Sequence, residues 1–192
     1  VAEHIELGMV AGMRLHLRPG ELGLPMERSL MNLEPTVPER LAALIPEGRA
    51  EIAGLWNAHR FAGRGIPLLL ISSGVALAGL LGVSALVCVA AEYVVPYTRK
   101  VGFSTLAHIG DAGLFRYPLA NMRSFAMVVM DPLTLEGADA RACHRILSLR
   151  IQPAQRRSEE PKKGRLDVHY DIWPTGVHPL KQQTSDQRHK AA

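Results

Sequence analysis

Residues 66–91 read IPLLLISSGVALAGLLGVSALVCVAA, and this stretch decides the fold that the sequence predicts. No charged residue occurs from Gly65 to Ala91, a run of 27 residues. A helix of that length is roughly 40 Å long, whereas the hydrocarbon core of a bilayer is about 30 Å thick. Uncharged runs of this length indicate a transmembrane helix rather than the buried core helix of a globular domain. We therefore predict a single membrane span.

The residues that flank the run favour the same interpretation. Pro67 suits the first turn of a helix because it lacks an N–H group, and Pro96 suits a helix end. Basic and aromatic side chains on both sides are typical of a membrane–water interface. The predicted interface residues are Trp56, Arg60, Arg64, Tyr93, Tyr97, Arg99 and Lys100. The transmembrane segment is placed within residues 65–97.

An amphipathic pattern precedes the predicted span, between Glu47 and Arg60. Its apolar residues recur at helical spacing and would share one face of a helix: Ile52, Leu55, Trp56 and His59. We interpret this segment as a helix lying on the membrane surface. Packing of the same face against a neighbouring subunit is the alternative.

The remaining segments are short and rich in proline and glycine. Residues 1–64 are predicted to form an N-terminal extramembrane segment with short helices, one of them opened by a capping box at Thr36–Glu39. Residues 98–152 are predicted to form a second extramembrane segment, and residues 153–192 a polar extended tail. The predicted fold class is a mainly α membrane protein with one transmembrane helix, an amphipathic helix before it and loop-rich flanks.

Two elements are predicted within the second extramembrane segment. The apolar stretch Ser124–Met130 is too short to cross a membrane and is interpreted as a strand or a packed segment. Glu136–Leu149 carries apolar residues along one side and is predicted to form a helix. Val101–Tyr117 is predicted to be a loop.

Small residues recur along the predicted span. Gly74, Ala78, Gly82 and Ala85 would form a stripe on one side of a continuous helix. Small side chains let two helix backbones approach closely in lipid. The sequence therefore predicts that this stripe packs against another transmembrane helix.

Charge divides unevenly around the run. Residues 1–64 carry seven Arg and eight Glu, whereas residues 92–192 carry fifteen Lys or Arg and ten Asp or Glu, and the two parts sum to the net charge of +4. The positive-inside tendency places the C-terminal part on the cytoplasmic or matrix side. Its basic residues could bind an anionic lipid. No disulfide is expected between Cys88 and Cys143, the only two cysteines.

Motifs of the common catalytic and cofactor sites are absent from the sequence. We find no Walker loop, dinucleotide fingerprint, nucleophile elbow or HExxH pattern. No histidine lies within residues 65–91 to ligate a haem, and Glu92 is interpreted as a solvated or paired carboxylate. We therefore expect no catalytic residue, no metal site and no cofactor, with a bound anionic lipid as the only ligand.

The function predicted on this basis is structural. We expect a non-catalytic, single-pass supernumerary subunit that stabilises a large complex of the mitochondrial inner membrane, in a respiratory-chain complex or supercomplex. Its partners would be other subunits and membrane lipids, with neither nucleic acid nor a small-molecule substrate. The alternatives are an accessory subunit of an ATP synthase or a photosystem, a membrane adaptor or import component, and a small membrane enzyme.

Overall fold

Five α-helices and nine strands make up the described parts of the chain, which are residues 1–17, 23–45 and 48–173 of a computed structural model. The helices are α1 (Pro25–Leu30), α2 (Val37–Leu44), α3 (Ile66–Leu80), α4 (Val95–Lys100) and α5 (Ala140–Ile151). The strands are β1 (Ala2–His4), β2 (Gly8–His16), β3 (Arg49–Asn57), β4 (Ala85–Ala91), β5 (Ser104–Thr105), β6 (Leu114–Arg116), β7 (Arg123–Met130), β8 (Ala154–Glu159) and β9 (Leu166–Asp171).

The uncharged run folds into a helix, a turn and a strand rather than into one long helix. α3 has 15 residues and ends before Gly82, whose φ of +67° suits a glycine at the end of a helix. The extended strand β4 then begins at Ala85. A 15-residue helix is roughly 22 Å long, and no helix within the described residues is long and apolar enough to cross a membrane. The predicted span and the predicted fold class are therefore wrong.

The helix is apolar all round because it is covered on opposite sides. A Cβ placed on Gly74 would stand 2.6 Å from Met13 Cε and 2.9 Å from Ile52 Cδ1, so this side of α3 presses on β2 and β3. The other side packs against α5. β4 lies in the middle of the sheet and is buried on both faces, which explains its continuous apolar sequence.

Seven of the described strands form the main sheet, in the order β1-β2-β3-β4-β7-β5, with β6 also pairing with β7. Among the described strands of this sheet, β3 and β4 form the only parallel pair, and the other pairs are antiparallel. One core joins the sheet to α3 and α5, and its largest members include Ile71, Val75, Leu86, Met127, Ile146 and Leu149. A second core joins the opposite face to α1 and α2, with Leu24, Met26, Leu30, Leu41, Val87 and Val128.

The segment predicted to be an amphipathic surface helix is the strand β3. Gly54 has a φ of +62°, and the register with β2 shifts there, so that Gly12 pairs with Trp56 but Arg14 pairs with Ala53. This irregularity puts Ile52 and Leu55 on the same side of the sheet although they are three residues apart. The irregularity in this strand therefore gave its apolar residues the sequence spacing that is typical of an amphipathic helix.

Three predictions about local structure are confirmed. A helix follows Thr36, although the Thr36 hydroxyl donates to Glu34 Oε1 (3.1 Å) rather than capping the helix. The apolar stretch Ser124–Met130 forms most of β7. The predicted helix over Glu136–Leu149 is α5, which begins at Ala140 because the Asp139 carboxylate accepts the N–H of Ala142 (2.7 Å) and caps it.

The predicted extended tail is wrong for the residues that the structure describes. β8 and β9 form an antiparallel hairpin from Ala154 to Asp171, and residues 174–192 lie outside the described part of the chain. The predicted loop over Val101–Tyr117 also contains two short strands, β5 and β6.

A buried ion pair anchors this hairpin to α5. Arg145 Nη2 donates to Glu159 Oε2 at 2.8 Å, and both side chains are only 6% exposed. The Tyr170 hydroxyl donates to Glu159 Oε1 at 3.0 Å, and Arg145 also reaches Ser72 of α3. Burial alone would raise the pKa of Glu159, but its hydrogen bonds and ion pair with Arg145 outweigh burial and hold that pKa below its usual value.

We predict that Glu159→Gln lowers the free energy of unfolding by about 3 kcal/mol at neutral pH, because it leaves the Arg145 charge buried without a partner. The matched control is Asp167→Asn, which removes the exposed Arg165–Asp167 pair of the same hairpin and should cost less than about 1 kcal/mol. Urea unfolding of the three proteins measures both effects. The difference in free energy of unfolding between wild type and Glu159→Gln should become smaller at acidic pH, where Glu159 becomes protonated. Equal losses for the two variants would contradict the assigned role of the buried pair.

Candidate active site

The parallel strands β3 and β4 separate soon after they meet. They pair over three residues, Arg49–Glu51 with Ala85–Val87. Beyond these positions β3 pairs with β2 as far as Asn57, whereas β4 pairs with β7 as far as Ala91. The carboxyl ends of the two strands therefore bound a gap in the sheet, the kind of crevice in which α/β proteins bind their ligands.

A glycine-rich turn lies at the mouth of this gap. Residues 60–65 read RFAGRG and connect β3 to α3. Gly63 and Gly65 have φ values of +78° and +73°, which residues with a side chain rarely adopt. Among the described residues no side chain caps the first turn of α3. Pro67 has no N–H group and the Leu68 N–H donates to the Gly65 carbonyl oxygen (3.0 Å), so the turn offers an anion the positive end of the helix dipole rather than a row of free N–H groups. Such a turn before a helix is suited to binding phosphate groups.

The tip of the β8–β9 hairpin packs on this turn. Lys163 Nζ donates to the carbonyl oxygen of Ala62 at 3.2 Å. A Cβ on Gly63 would stand 2.7 Å from Lys163 Cε, and one on Gly65 would stand 2.8 Å from Pro161 Cβ. Two distant parts of the sequence thus place four exposed cations around one turn: Arg60, Arg64, Lys162 and Lys163.

A buried carboxyl group lies where the strands part. Glu51 is the last residue of β3 that pairs with β4, and it is 3% exposed. Its Oε2 accepts the N–H of Met26 at 2.7 Å. Burial raises the pKa of Glu51 to about 7, with a further rise from Glu27, against the lowering effects of the Met26 N–H and the Arg28 charge. Glu51 can therefore take up and release a proton near neutral pH.

Glu27 is held in place beside Glu51 by its own partners. Its Oε1 accepts from Arg49 Nη2 at 2.5 Å, and its Oε2 accepts the N–H of Leu24 at 2.6 Å. The charge of Glu27 is thus compensated by Arg49. Glu51 has no comparable cationic hydrogen-bond donor among the described residues, and the one hydrogen bond that it accepts from them is that of the Met26 N–H.

One cavity lies beside α1 and another lies at the end of β4. One, of about 380 Å³, is lined by Pro25, Arg28, Ser29, Asn32 and Tyr117. The other, of about 450 Å³, is lined by Ala91, Glu92, Tyr93, Asn121, Met122 and Arg123. The Ser124 hydroxyl, opposite Ala91 in the sheet, donates to the Tyr117 carbonyl oxygen at 2.7 Å and ties the first cavity to the same edge. The second cavity contains the Glu92–Arg123 ion pair (2.8 Å), so Glu92 is paired as expected.

The predicted helix-packing residues do not form one stripe. Gly74 and Ala78 belong to α3, Gly82 lies in the turn after it, and Ala85 is the first residue of β4. The partner of Gly74 is the sheet of the same chain rather than another transmembrane helix.

The predicted membrane-interface residues are dispersed over four elements. Trp56 lies in β3, Arg60 and Arg64 lie at the glycine-rich turn, and Tyr93 follows β4; Tyr97, Arg99 and Lys100 belong to α4. Their predicted role depended on a span that the described residues do not form. Arg60 and Arg64 instead belong to the candidate active site.

Sequence reasoning singled out Arg60 and Arg64 for a different role and missed the other residues of this site. Gly63 and Gly65 stand two residues apart immediately before an apolar helix, which is a signal for an anion-binding turn. Glu51 and Lys163 gave no comparable signal. The described residues contain no group of three or more His, Cys, Asp or Glu side chains that could hold a metal ion. The expected anionic lipid is not tested by any of these observations and stays a prediction.

No family model matches the sequence, and no curated protein matches it significantly. Solved structures of acyltransferases resemble it in fold. An N-acyl amino acid synthase from uncultured soil microbes is 15% identical, with a TM-score of 0.49 over 68% of this chain and 70% of that one. A CoA-dependent acyl-homoserine lactone synthase is 14% identical, with a TM-score of 0.44 over 76% and 60%. Arylalkylamine N-acetyltransferase 2 from Aedes aegypti is 14% identical, with a TM-score of 0.45 over 66% and 70%.

These findings correct the predicted function. The non-catalytic membrane subunit, its place in the mitochondrial inner membrane and its partners in a respiratory complex were all inferred from a span, and no described helix can cross a membrane. The solved structures that the chain resembles are enzymes, and the acyl-homoserine lactone synthase was solved with SAM and isopentyl-CoA. The predictions of no enzymatic activity and no small-molecule substrate rested on the same membrane subunit and are withdrawn with it.

We predict that Glu51 makes the protein less stable as the pH rises. The folded chain keeps the Glu51 proton up to about pH 7, whereas the unfolded chain loses it near pH 4.5, so the native state binds more protons between these values. The free energy of unfolding of wild type relative to Glu51→Gln should fall by up to about 3 kcal/mol over this range. Denaturant unfolding at several pH values measures it. Glu39→Gln, at an exposed position in α2, is the control. If the difference in free energy of unfolding between wild type and Glu51→Gln did not change with pH, the raised pKa of Glu51 would be contradicted.

Proposed function

We propose that the protein is an acyltransferase that takes an acyl group from a phosphopantetheine thioester, such as an acyl-coenzyme A, and transfers it to a small nucleophile. The observation that carries the proposal is the gap between β3 and β4 with the RFAGRG turn at its mouth. This combination suits a ligand with phosphate at one end and a long, narrow arm at the other. The proposal rests on the geometry of this chain. The solved structures described above are enzymes that transfer acyl groups, but they do not carry the argument.

The phosphate end of the donor would lie on the glycine-rich turn. The positive end of the α3 dipole lies at this turn, and Arg60, Arg64 and Lys163 place exposed cations around it. The glycines leave the backbone free of side chains, so that the phosphates can approach it closely. Each charge-assisted contact to phosphate adds to the affinity for the donor.

The pantetheine arm would enter the gap in the sheet. Beyond Glu51 and Val87 the facing edges of β3 and β4 no longer bond to each other. An extended arm with amide groups can satisfy such open edges in the manner of an added strand. Its thioester would then reach the region where the strands part.

Glu51 is the candidate general base at that point. It would accept a proton from the nucleophile, directly or through one water molecule. For an amine acceptor, the protonated amine loses one proton to Glu51, and its nitrogen attacks the thioester carbonyl carbon. The carbon–nitrogen bond forms, the carbon–sulfur bond breaks, and the thiolate takes the second proton from nitrogen. Glu51 returns its proton to solvent.

We predict that coenzyme A binds the purified protein and that phosphate-free pantetheine binds at least about tenfold more weakly. Lys163→Ala and Arg64→Ala should each weaken coenzyme A binding by about three- to tenfold, because each removes a cation from the turn. Arg40→Ala is the matched control, since it removes an exposed cation of α2 on the opposite face of the sheet. Isothermal titration calorimetry provides the dissociation constants. Equal affinity for coenzyme A and pantetheine, or equal effects of all three variants, would contradict the phosphate site.

Activity is tested by thiol release from acyl-coenzyme A in the presence of a panel of amines. Glu51→Gln should lower kcat by about 100-fold or more while leaving the affinity for coenzyme A unchanged, because glutamine retains an acceptor for the Met26 N–H but cannot take a proton. Wild-type turnover in Glu51→Gln would remove Glu51 from the mechanism. Absence of both coenzyme A binding and thiol release in wild type would overturn the proposed function.

A further inference from the structure

The Glu51 carboxyl group is almost closed to solvent, although its proposed role requires it to exchange protons. In each turnover Glu51 takes up one proton, which must leave before the next turnover begins. The side chain is only 3% exposed, and its Oε2 accepts the Met26 N–H of α1 at 2.7 Å. Among the described residues no donor is bound to Oε1, so this oxygen is free to take up and release the proton. A buried acid of this kind needs a second group to carry its proton to the surface.

The register of β2 and β3 places a histidine beside Glu51. His16, the last residue of β2, is the Cα partner of Glu51 in this antiparallel pair. Residues at opposite positions point to the same face of the sheet, with their Cβ atoms about 5 Å apart. A carboxyl group and an imidazole at such positions can meet directly or through one water molecule. His16 is half-buried, so its ring lies between the buried carboxyl group and solvent.

The other described ionisable groups beside Glu51 cannot carry its proton. They come from α1, β3 and β4, and they are Glu27, Arg28, Arg49 and Cys88. The two guanidinium groups keep their protons at all physiological pH values, and the second acid is already paired with one of them. Burial raises the pKa of the thiol, which packs in the core that joins the sheet to α3. Among these described neighbours, His16 alone has a side chain of the type that accepts and releases protons near neutral pH.

We propose that His16 relays the proton of Glu51 to solvent, so that the two side chains form a proton pathway on the face of the sheet that α1 covers. The inference rests on the proposed function and adds a residue that acts through Glu51. After acyl transfer, the O–H bond of protonated Glu51 breaks, and a ring nitrogen of neutral His16 accepts the proton. The imidazolium then releases a proton to water, which restores the neutral ring beside a Glu51 carboxylate.

The rate of proton exchange at Glu51 tests the relay without any substrate. In protein labelled with ¹³C at the glutamate carboxyl groups, the resonance that Glu51→Gln removes is that of Glu51. This resonance should titrate at about pH 7, and relaxation dispersion at that pH gives the exchange rate. His16→Gln should lower this rate by at least about tenfold, because an amide can form hydrogen bonds but cannot carry a proton. His144→Gln, at an exposed position in α5, is the matched control and should leave the rate unchanged.

Added imidazole separates proton transfer from a structural role of the ring. His16→Ala leaves space beside Glu51 that free imidazole can fill, whereas the side chain in His16→Gln occupies it. Imidazole should therefore restore the exchange rate in His16→Ala and have little effect in His16→Gln. A slow rate that imidazole restores in neither variant would show that the ring only supports the strand end, and the relay would be contradicted.

The first turnover should differ from the later ones. At a pH above the pKa of Glu51 the carboxylate is ready to accept a proton, so acyl transfer in the first turnover should keep its wild-type rate in His16→Gln. The steady-state kcat should fall by about tenfold, because each later turnover waits for Glu51 to lose its proton, and the KM for the acyl donor should not change. Equal slowing of the first and later turnovers would argue against the relay.

The two measurements distinguish this inference from the proposed function. If wild type transfers acyl groups and Glu51 exchanges its proton as fast in His16→Gln as in wild type, the relay is overturned and the proposed function stands. If the exchange rate depends on His16 but no donor supports acyl transfer, the proposed function is overturned, whereas the proton pathway from Glu51 to solvent stands.

Discussion

The two halves of the main sheet are joined by a short parallel pairing between β3 and β4. Three residues of each strand take part, whereas β4 pairs with β7 over its whole length. So few backbone hydrogen bonds need additional stabilisation, and α3 provides it. α3 connects the two strands and packs on β2, β3 and α5, so burial of its apolar surface supplies what the backbone pairing lacks. The early end of the pairing is also what opens the gap in which the donor arm would lie.

Local elements could be predicted from the sequence where one rule dominated. α5 combines an apolar side with an N-cap, and β7 is a short run of β-branched and apolar residues between polar ends. The uncharged run was predicted wrongly because hydropathy indicates that a segment is buried but not whether lipid or protein buries it. A helix and a central strand in sequence, each covered on opposite sides, give the same profile as one span. Gly82 was the residue that separated them, and its φ is a property of the fold.

The candidate active site was less predictable than the fold because distant residues build it. The two glycines of the turn stand two residues apart and carry a signal, although a membrane flank explains them equally well. Glu51 gains its raised pKa from α1, which begins at Pro25, and Lys163 reaches the turn from about 100 residues downstream. Nothing near Glu51 or Lys163 in the sequence distinguishes them from solvated surface charges. Their place in the candidate site results from tertiary packing: α1 packs on the sheet beside Glu51, and the β8–β9 hairpin brings Lys163 to the turn.

The hairpin contact has a consequence for the order in which the chain is made. The strands, the turn and α3 are all present once residue 91 has been synthesised, but the turn lacks Lys163 and Pro161 until the hairpin follows. Domains begin to fold while their N-terminal parts are leaving the ribosome. Once β7 and α5 have also emerged, a nascent chain can bury α3 and form the gap, yet its glycine-rich turn becomes complete only after the hairpin tip has emerged. Ligand binding would then report that synthesis has passed β9, rather than help the earlier elements to fold.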